Sequence, residues 1–407
     1  MQKPELLAPA GSLEKLKFAF LYGADAVYIG GEAFSLREAA ENFSMEEIGE
    51  GIQYAHDRGK KVYITANILP HNQDLHGFSH YIKQVAELGA DAVIVSDLGL
   101  FSMVQEAAPE LPIHISTQAN NVNYASAQMW HKLGAKRVIL ARELSLAEIA
   151  EIRENTPEEL ELECFVHGAM CISYSGRCLL SNYMTGRDSN LGACAHPCRW
   201  KYYLMEEKRP GEYFPVEEND RGTFLFNSKD LCMIRHIPEL IRAGITSFKI
   251  EGRVKSEYYV ATITKAYRDA IDGYFAHQPF QEQWAKELEK VSHREYTTGF
   301  FFGKPDANQQ IYTTSSYKRI YDIVGIVERY DENSGMLEVS QRNKFFVGDE
   351  IELLKPKGAF ETIRVEKMLD EKGNQIESCP HAMQKIKIPC DIVCEPYTIL
   401  RKKKKED

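Results

Sequence analysis

No window of this sequence approaches the roughly 20 consecutive apolar residues that a membrane helix needs. The opening residues, MQKPELLAPAG, hold no apolar run flanked by basic ones. Both absences argue against a membrane span and a secretory leader, and the expected place is the cytosol. A broad basic coat is missing too: the formal net charge is -10 and the pI about 5.7, so nucleic-acid contact has to come from local patches. The one basic run is RKKKK at 401–405, and residues 401–407 are expected to be a solvated basic tail. Cysteines number nine, and an odd count in a reducing compartment argues against a disulfide framework.

Familiar catalytic strings are absent as well. The chain has no HExxH for a zinc protease, no G-x-S-x-G nucleophile elbow and no GxxxxGK[ST] phosphate loop. The C-x3-C-x2-C motif of a radical enzyme fails because Lys201 stands where the third cysteine belongs.

What is present is a repeat. LYGADAVYIGG (21–31), ELGADAVIVSD (87–97), KLGAKRVILAR (132–142) and RAGITSFKIEG (242–252) each carry a glycine followed by an apolar run. Gly23, Gly89, Gly134 and Gly244 sit where a helix ends, since a left-handed cap costs glycine nothing sterically. Unbroken apolar runs mark strands of a parallel sheet covered on both faces. Weaker matches complete eight strands near residues 6–8, 26–29, 62–66, 92–96, 113–117, 138–141, 161–166 and 247–251. Helical segments alternate with them, with Ser12, Ser44 and Ser145 as N-caps, and 256–274 closing the ring.

This pattern predicts an α/β fold, a (β/α)8 TIM-like barrel over residues 1–300, with a doubly wound sheet as runner-up. An insertion at 168–224 follows strand seven and is expected to hang over the barrel mouth. From 310 to 400 short β-rich segments predict a small all-β barrel domain of about six strands, with the charged stretch 275–295 as junction.

In such a barrel, chemistry gathers at the C-terminal strand ends. Those ends carry Asn67, Gln118, Arg142, His167 and Glu251, and the loop after strand eight adds Arg253 and Lys255. Arg142, Lys249, Arg253 and Lys255, with Arg177 and Arg199 from the insertion, suit an anion such as a carboxylate or a phosphate. The competing reading pairs them with Glu143, Glu163 and Glu251.

The insertion reads CISYSGRCLLSNYMTGRDSNLGACAHPCRW over residues 171–200 and holds four cysteines. Six, fifteen, three and then thirty-three residues separate Cys171, Cys178, Cys194, Cys198 and Cys232. These spacings lack the paired knuckles of structural zinc, whereas an iron-sulfur cluster takes four thiolates at varied spacing. We favour Cys171, Cys178, Cys194 and Cys232, with Cys198 in reserve; zinc and no metal stay open. Cys164, Cys379, Cys390 and Cys394 read as packing residues.

The run ECFVHGAMCISYSGRCLLS, from Glu163 to Ser181, resembles the signature of the peptidase U32 family. LLAPAGS (6–12), DAVYIGG, FKIEGRVKSEYYV (248–260) and the β domain are similar to family elements as well, so the likeness covers almost the whole chain. It implies a hydroxylase more than a peptidase, because the better understood members hydroxylate RNA or quinone precursors. Length and β domain are most similar to members that form 5-hydroxyuridine at the tRNA wobble position. Prephenate is then the co-substrate, molecular oxygen is not needed, and a 4Fe-4S cluster sits on Cys171, Cys178, Cys194 and Cys232. Related members draw on the C-x3-C pair, which keeps Cys198 in play.

The same resemblance places the tRNA anticodon loop and the dicarboxylate at one pocket. Arg142, Lys249, Arg253, Lys255, Asn67 and Gln118 would bind substrate, and His167 and Glu251 would transfer protons. An rRNA or quinone-precursor hydroxylase, a collagenase-like peptidase and a binding module without activity are the alternatives. A second copy of the chain or a paralogue is left open as partner.

Overall fold

The computed structural model describes residues 2–35, 42–171, 173–189, 194–200, 203–204, 214–215, 229–303 and 318–404. Eight parallel strands close a barrel: β1 (Glu5–Pro9), β2 (Ala26–Gly30), β3 (Lys61–Thr65), β4 (Ala92–Val95), β5 (Ile113–Ile115), β6 (Arg137–Ile139), β7 (Glu161–Ala169) and β11 (Ser247–Ile250). β11 pairs with both β1 and β7, which closes the ring as the sequence predicts.

The outer layer is α1 (Leu13–Leu21), α2 (Met45–His56), α3 (Phe78–Glu87), α4 (Leu98–Ala107), α5 (Tyr124–Leu133) and α6 (Leu146–Glu154). It continues with α8 (Ile237–Arg242), α9 (Glu257–Phe275) and α10 (Glu282–Leu288). Ser44 and Ser145 close capping boxes on Glu47 and Glu148, and Ser12 caps α1 through the Lys15 amide, so the predicted helix starts hold. Gly23, Gly89, Gly134 and Gly244 all have positive φ, as the helix ends require.

After β7 the described part of the insertion holds α7 (Leu180–Thr185) and a two-residue pair, β8 (Tyr203–Leu204) with β9 (Phe214–Pro215). β10 (Asp230–Cys232) then returns antiparallel along β7, and β12 (Tyr296–Thr297) pairs with β10. The sequence reading did not foresee this extension of the barrel wall.

The second unit is an antiparallel sheet of seven strands: β13 (Tyr321–Asp331), β14 (Met336–Gln341), β15 (Glu350–Leu354), β16 (Glu361–Arg364), β17 (Leu369–Asp370), β18 (Lys385–Pro389) and β19 (Ile399–Lys403). Its order, β16-β15-β19-β13-β14-β18-β17, puts β19 inside the sheet between β15 and β13, so residues 401–403 belong to a strand where the sequence reading expected a solvated tail. Arg401 is fully buried against Glu287 of α10 and Glu352 of β15, and Lys402 pairs with Asp349 at 2.7 Å. The Tyr22 hydroxyl donates to the carbonyls of Leu354 and Tyr397, so the sheet docks on the outer helices of the barrel.

Candidate functional site

A cavity of about 110 Å³ opens at the C-terminal end of the barrel. Lys249 and Phe165 are register partners on β11 and β7 and both reach it. Arg142, Glu251 and Arg253 enter from the segments after β6 and β11, and Asn67 and Gln118 from those after β3 and β5. The structure therefore brings together six of the predicted site residues. Tyr28, Thr65, Ser116, Thr117 and Ser175 complete the polar part of the wall.

Each cation is held differently. Arg142 donates to the Ala169 carbonyl at 2.7 Å, lies 3.5 Å from Glu251 and stacks over Phe165 at 4.0 Å. Arg253 is buried and donates to the neutral hydroxyls of Ser35 and Thr65 at 2.7 and 2.8 Å. Lys249 donates to Glu163 at 2.8 Å and stands 4.5 Å from the Tyr28 ring centre. Burial pulls the Lys249 ammonium pKa down, and Glu163 opposes that shift. Glu163 is also bound by Arg137 at 2.8 Å, so the barrel floor carries its own neutralising network. Ion pairing thus applies to Lys249 and Arg142, as the competing reading held.

Asn67 donates to Gln118 at 2.7 Å, which fixes the two amides against each other. Among the described residues, Asn67 Oδ1 and Arg142 Nε are buried polar atoms with no hydrogen-bond partner. One acceptor and one donor are thus unsatisfied in a wall that can receive a polar ligand.

The tight glycines serve the same site. A methyl at Gly30 would stand 2.1 Å from Arg253 Nη1, and one at Gly11 would stand 2.2 Å from the Arg253 carbonyl. The Gly30-Gly31 pair is thus close packing, as the sequence suggested: Gly30 makes room for the Arg253 guanidinium and Gly31 for the Tyr81 hydroxyl.

Two predicted residues lie elsewhere. The β7–β11 register shifts between Lys249 and Ile250, so that His167 pairs with Ile250 where alternation would set Val166. His167 therefore leaves the cavity side and packs among the rings of Tyr259, Tyr267 and Tyr296. Burial, then the charges of His293 and Lys255, hold its pKa down to about 3, so it is neutral. The structure thus places His167 off the cavity where the sequence reading set it for proton transfer, packed against tyrosine rings. Lys255 is the other: it does not line the cavity and lies 5.3 Å from the Tyr259 ring.

The insertion is seated on the mouth. Asn120, in left-handed backbone at φ 52, donates to the Ser175 carbonyl at 3.1 Å and accepts from Arg177 Nε at 2.7 Å. No sequence signal marked Asn120, because its partners lie 55 and 57 residues away. Nor did any signal mark Ser35. Arg199 contributes no described side chain, and much of 168–224 lies outside the described residues.

The thiols are spread along this segment. Cys171 is exposed just past β7, Cys178, Cys194 and Cys198 are half-buried in the insertion, and Cys232 ends β10 opposite His167. Among the described residues no three His, Cys, Asp or Glu side chains are placed to share a metal ion. Cys232 lies on a short strand. Burial raises the Cys194 thiol, but hydrogen bonds from His196 and Ser189 outweigh it and bring the pKa to about 6. Cys164, Cys379, Cys390 and Cys394 are buried, in keeping with packing.

Comparison with known proteins places this architecture. Residues 11–311 match the family model of peptidase family U32, and residues 319–401 match its C-terminal domain. The chain is 43% identical to tRNA hydroxylation protein P1 of Bacillus subtilis (strain 168), over 99% of this chain and 96% of that one. It is 42% identical to tRNA hydroxylation protein P of Escherichia coli (strain K12), over 93% and 92% of the two chains. Among solved structures, the U32 peptidase Mk0906 is 17% identical, with a TM-score of 0.40 over 61% of this chain and 93% of that one. The chain belongs to peptidase family U32.

Proposed function

We propose that this protein is a tRNA hydroxylase that forms 5-hydroxyuridine at the wobble position, with prephenate as co-substrate and without molecular oxygen. The observation that carries the reading is the charge of the cavity. Arg142, Lys249 and Arg253 line it with Glu251; Lys249 is paired with Glu163 and Arg142 faces Glu251, while Arg253 donates to the neutral hydroxyls of Ser35 and Thr65, in a chain of net charge -10. Such a cavity selects an anion, and the planar guanidinium forks suit the two carboxylates of prephenate. Relatives named for tRNA hydroxylation, matched over more than nine-tenths of their length, support the RNA substrate.

A peptidase is less well served. No histidine and no cysteine lines the cavity among the described residues, so a nucleophile paired with an imidazole base is missing from it. Glu251, 3.5 Å from Arg142, is the one carboxylate placed to accept a proton there.

The donor set suits a 4Fe-4S cluster. Cys171, Cys178, Cys194 and Cys232 are all free thiols, and soft thiolates are the ligands such a cluster takes, with Cys198 in reserve. A bound cluster would supply one-electron chemistry. The chain's own residues would bind the dicarboxylate on Arg142 and Arg253, orient it with Asn67 and Gln118, and admit an extruded base from the mouth.

The test is mass spectrometry of tRNA nucleosides from a deletion strain. We expect 5-hydroxyuridine to vanish, to return with the wild-type gene, and to stay at least about tenfold low with Arg253→Ala, a loss of about 1.4 kcal/mol. A deletion strain with unchanged 5-hydroxyuridine would overturn the reading. So would prephenate binding unaltered by the combined loss of Arg142 and Arg253.

A further inference from the structure

Exposed apolar side chains are not scattered evenly over this molecule. Within the insertion Tyr174, Leu179, Tyr183, Met184 and Trp200 are exposed, with Tyr183 leaving 87% of its surface in water. Leu98, Val122, Tyr124 and Val254, on the segments that follow β4, β5 and β11, share the same end of the barrel. These nine are about half of the seventeen large exposed hydrophobic side chains among the described residues. Every exposed tyrosine and tryptophan among the described residues is one of them. Concentration on one face marks a docking surface, since single exposed apolar residues elsewhere need no explanation.

The chemistry of the patch identifies its occupant. Four of its nine side chains are rings, and residues 171–200 hold three arginines, Arg177, Arg187 and Arg199, against one acidic residue, Asp188, in a chain of net charge -10. Arg187 is exposed beside the rings, while Arg177 is tied to Asn120 at 2.7 Å. Rings interleaved with arginines fit unpaired nucleobases, which stack on any aromatic face while their phosphates meet the cations. Ser175, next to Tyr174, lines the cavity, so the rings stand at the entrance through which a base would pass.

We infer that the aromatic rim, with Tyr183, Tyr174 and Tyr124 at its centre, is the platform on which the unpaired bases of an RNA loop stack while one base is turned into the cavity. This rests on the tRNA reading above and adds which surface holds the loop. The experiment measures binding of a synthetic anticodon stem-loop with uridine at the wobble position, beside a matched duplex without a loop. Purified full-length protein is used, and tRNA hydroxylation is scored separately.

We expect Tyr183→Ala to weaken loop binding about tenfold, as the loss of one stacked base predicts, and Tyr183→Phe to restore it. Met129→Ala, an exposed apolar change on the outer face of α5, should change nothing. Trp200 fluorescence should be quenched by the loop and not by the duplex. Equal binding of loop and duplex, or loop binding unmoved by Tyr183→Ala combined with Tyr124→Ala, overturns the inference even if the wild type hydroxylates tRNA. A dimer that falls apart on those substitutions with RNA affinity unchanged also overturns it, since the face would then hold a second copy. Normal stacking with no tRNA hydroxylation by the wild type leaves the platform standing and sinks the enzymatic reading instead.

Discussion

His167 shows what one residue can and cannot reveal. Its sequence neighbours, Glu163 and Phe165 on the same strand, face the barrel interior, and simple alternation puts His167 there too. The register shift at the β7–β11 pair turns it outward into a cage of tyrosines, and no local pattern announces a bulge. Burial then holds its pKa at about 3, below the ordinary histidine value. Between that value and the ordinary one the unfolded chain takes up a proton that the folded chain refuses. Stability therefore falls as pH drops through this window, by at most about 1.4 kcal/mol per pH unit. His114, buried with a pKa also pushed well down, adds to the same trend. We expect His167→Phe to flatten the dependence of Tm on pH between about pH 6 and pH 4. Hydroxylation should survive the change, and its loss despite a normal Tm would return His167 to the chemistry.

At the scale of elements, the strand ends and their loops place the site, and the glycines there are legible in kind but not in purpose. GG after an apolar run announces close packing, yet only the fold shows that Gly30 on β2 makes room for Arg253, more than 200 positions later. A methyl at Gly30 would meet Arg253 Nη1 at 2.1 Å and Ser35 Oγ at 2.2 Å, both ends of side chains that can move aside. If the cavity takes prephenate as proposed, Gly30→Ala should therefore raise its Kd about tenfold, or 1.4 kcal/mol, with little change in Tm. Gly168 differs, because its φ is +111° and a methyl there would meet the backbone carbonyl of Glu251 at 2.7 Å. Backbone cannot step aside cheaply, so Gly168→Ala should cost about 1–3 kcal/mol of stability, read by denaturant unfolding. If both variants lose stability equally, the distinction between side-chain and backbone contacts fails.

For the whole molecule, the decisive contact is the one between the barrel and the β domain. Arg401 is fully buried at this junction against Glu287, itself 1% exposed, and Glu352. Truncating it leaves the buried Glu287, together with Glu352, to share Lys290, at 2.9 and 2.7 Å, so Arg401→Ala should cost about 1–3 kcal/mol, lower Tm clearly and expose the junction to proteolysis. An unchanged Tm would mean that the junction is wet. No helix among the described residues is long and apolar enough to cross a membrane. The sequence by itself determined the eight barrel strands, the capped helices between them, the β-rich second unit and the cysteine-bearing insertion. Hydrophobic period, capping serines and helix-ending glycines act within a few residues of where they stand, and a string can carry them. Only the tertiary structure decided that residues 401–403 lie in an interior strand, that His167 faces outward, and that Arg253 meets Ser35 across 218 residues. Those outcomes depend on register between strands and on charges brought together from distant positions, and neither is written in any one stretch of the chain.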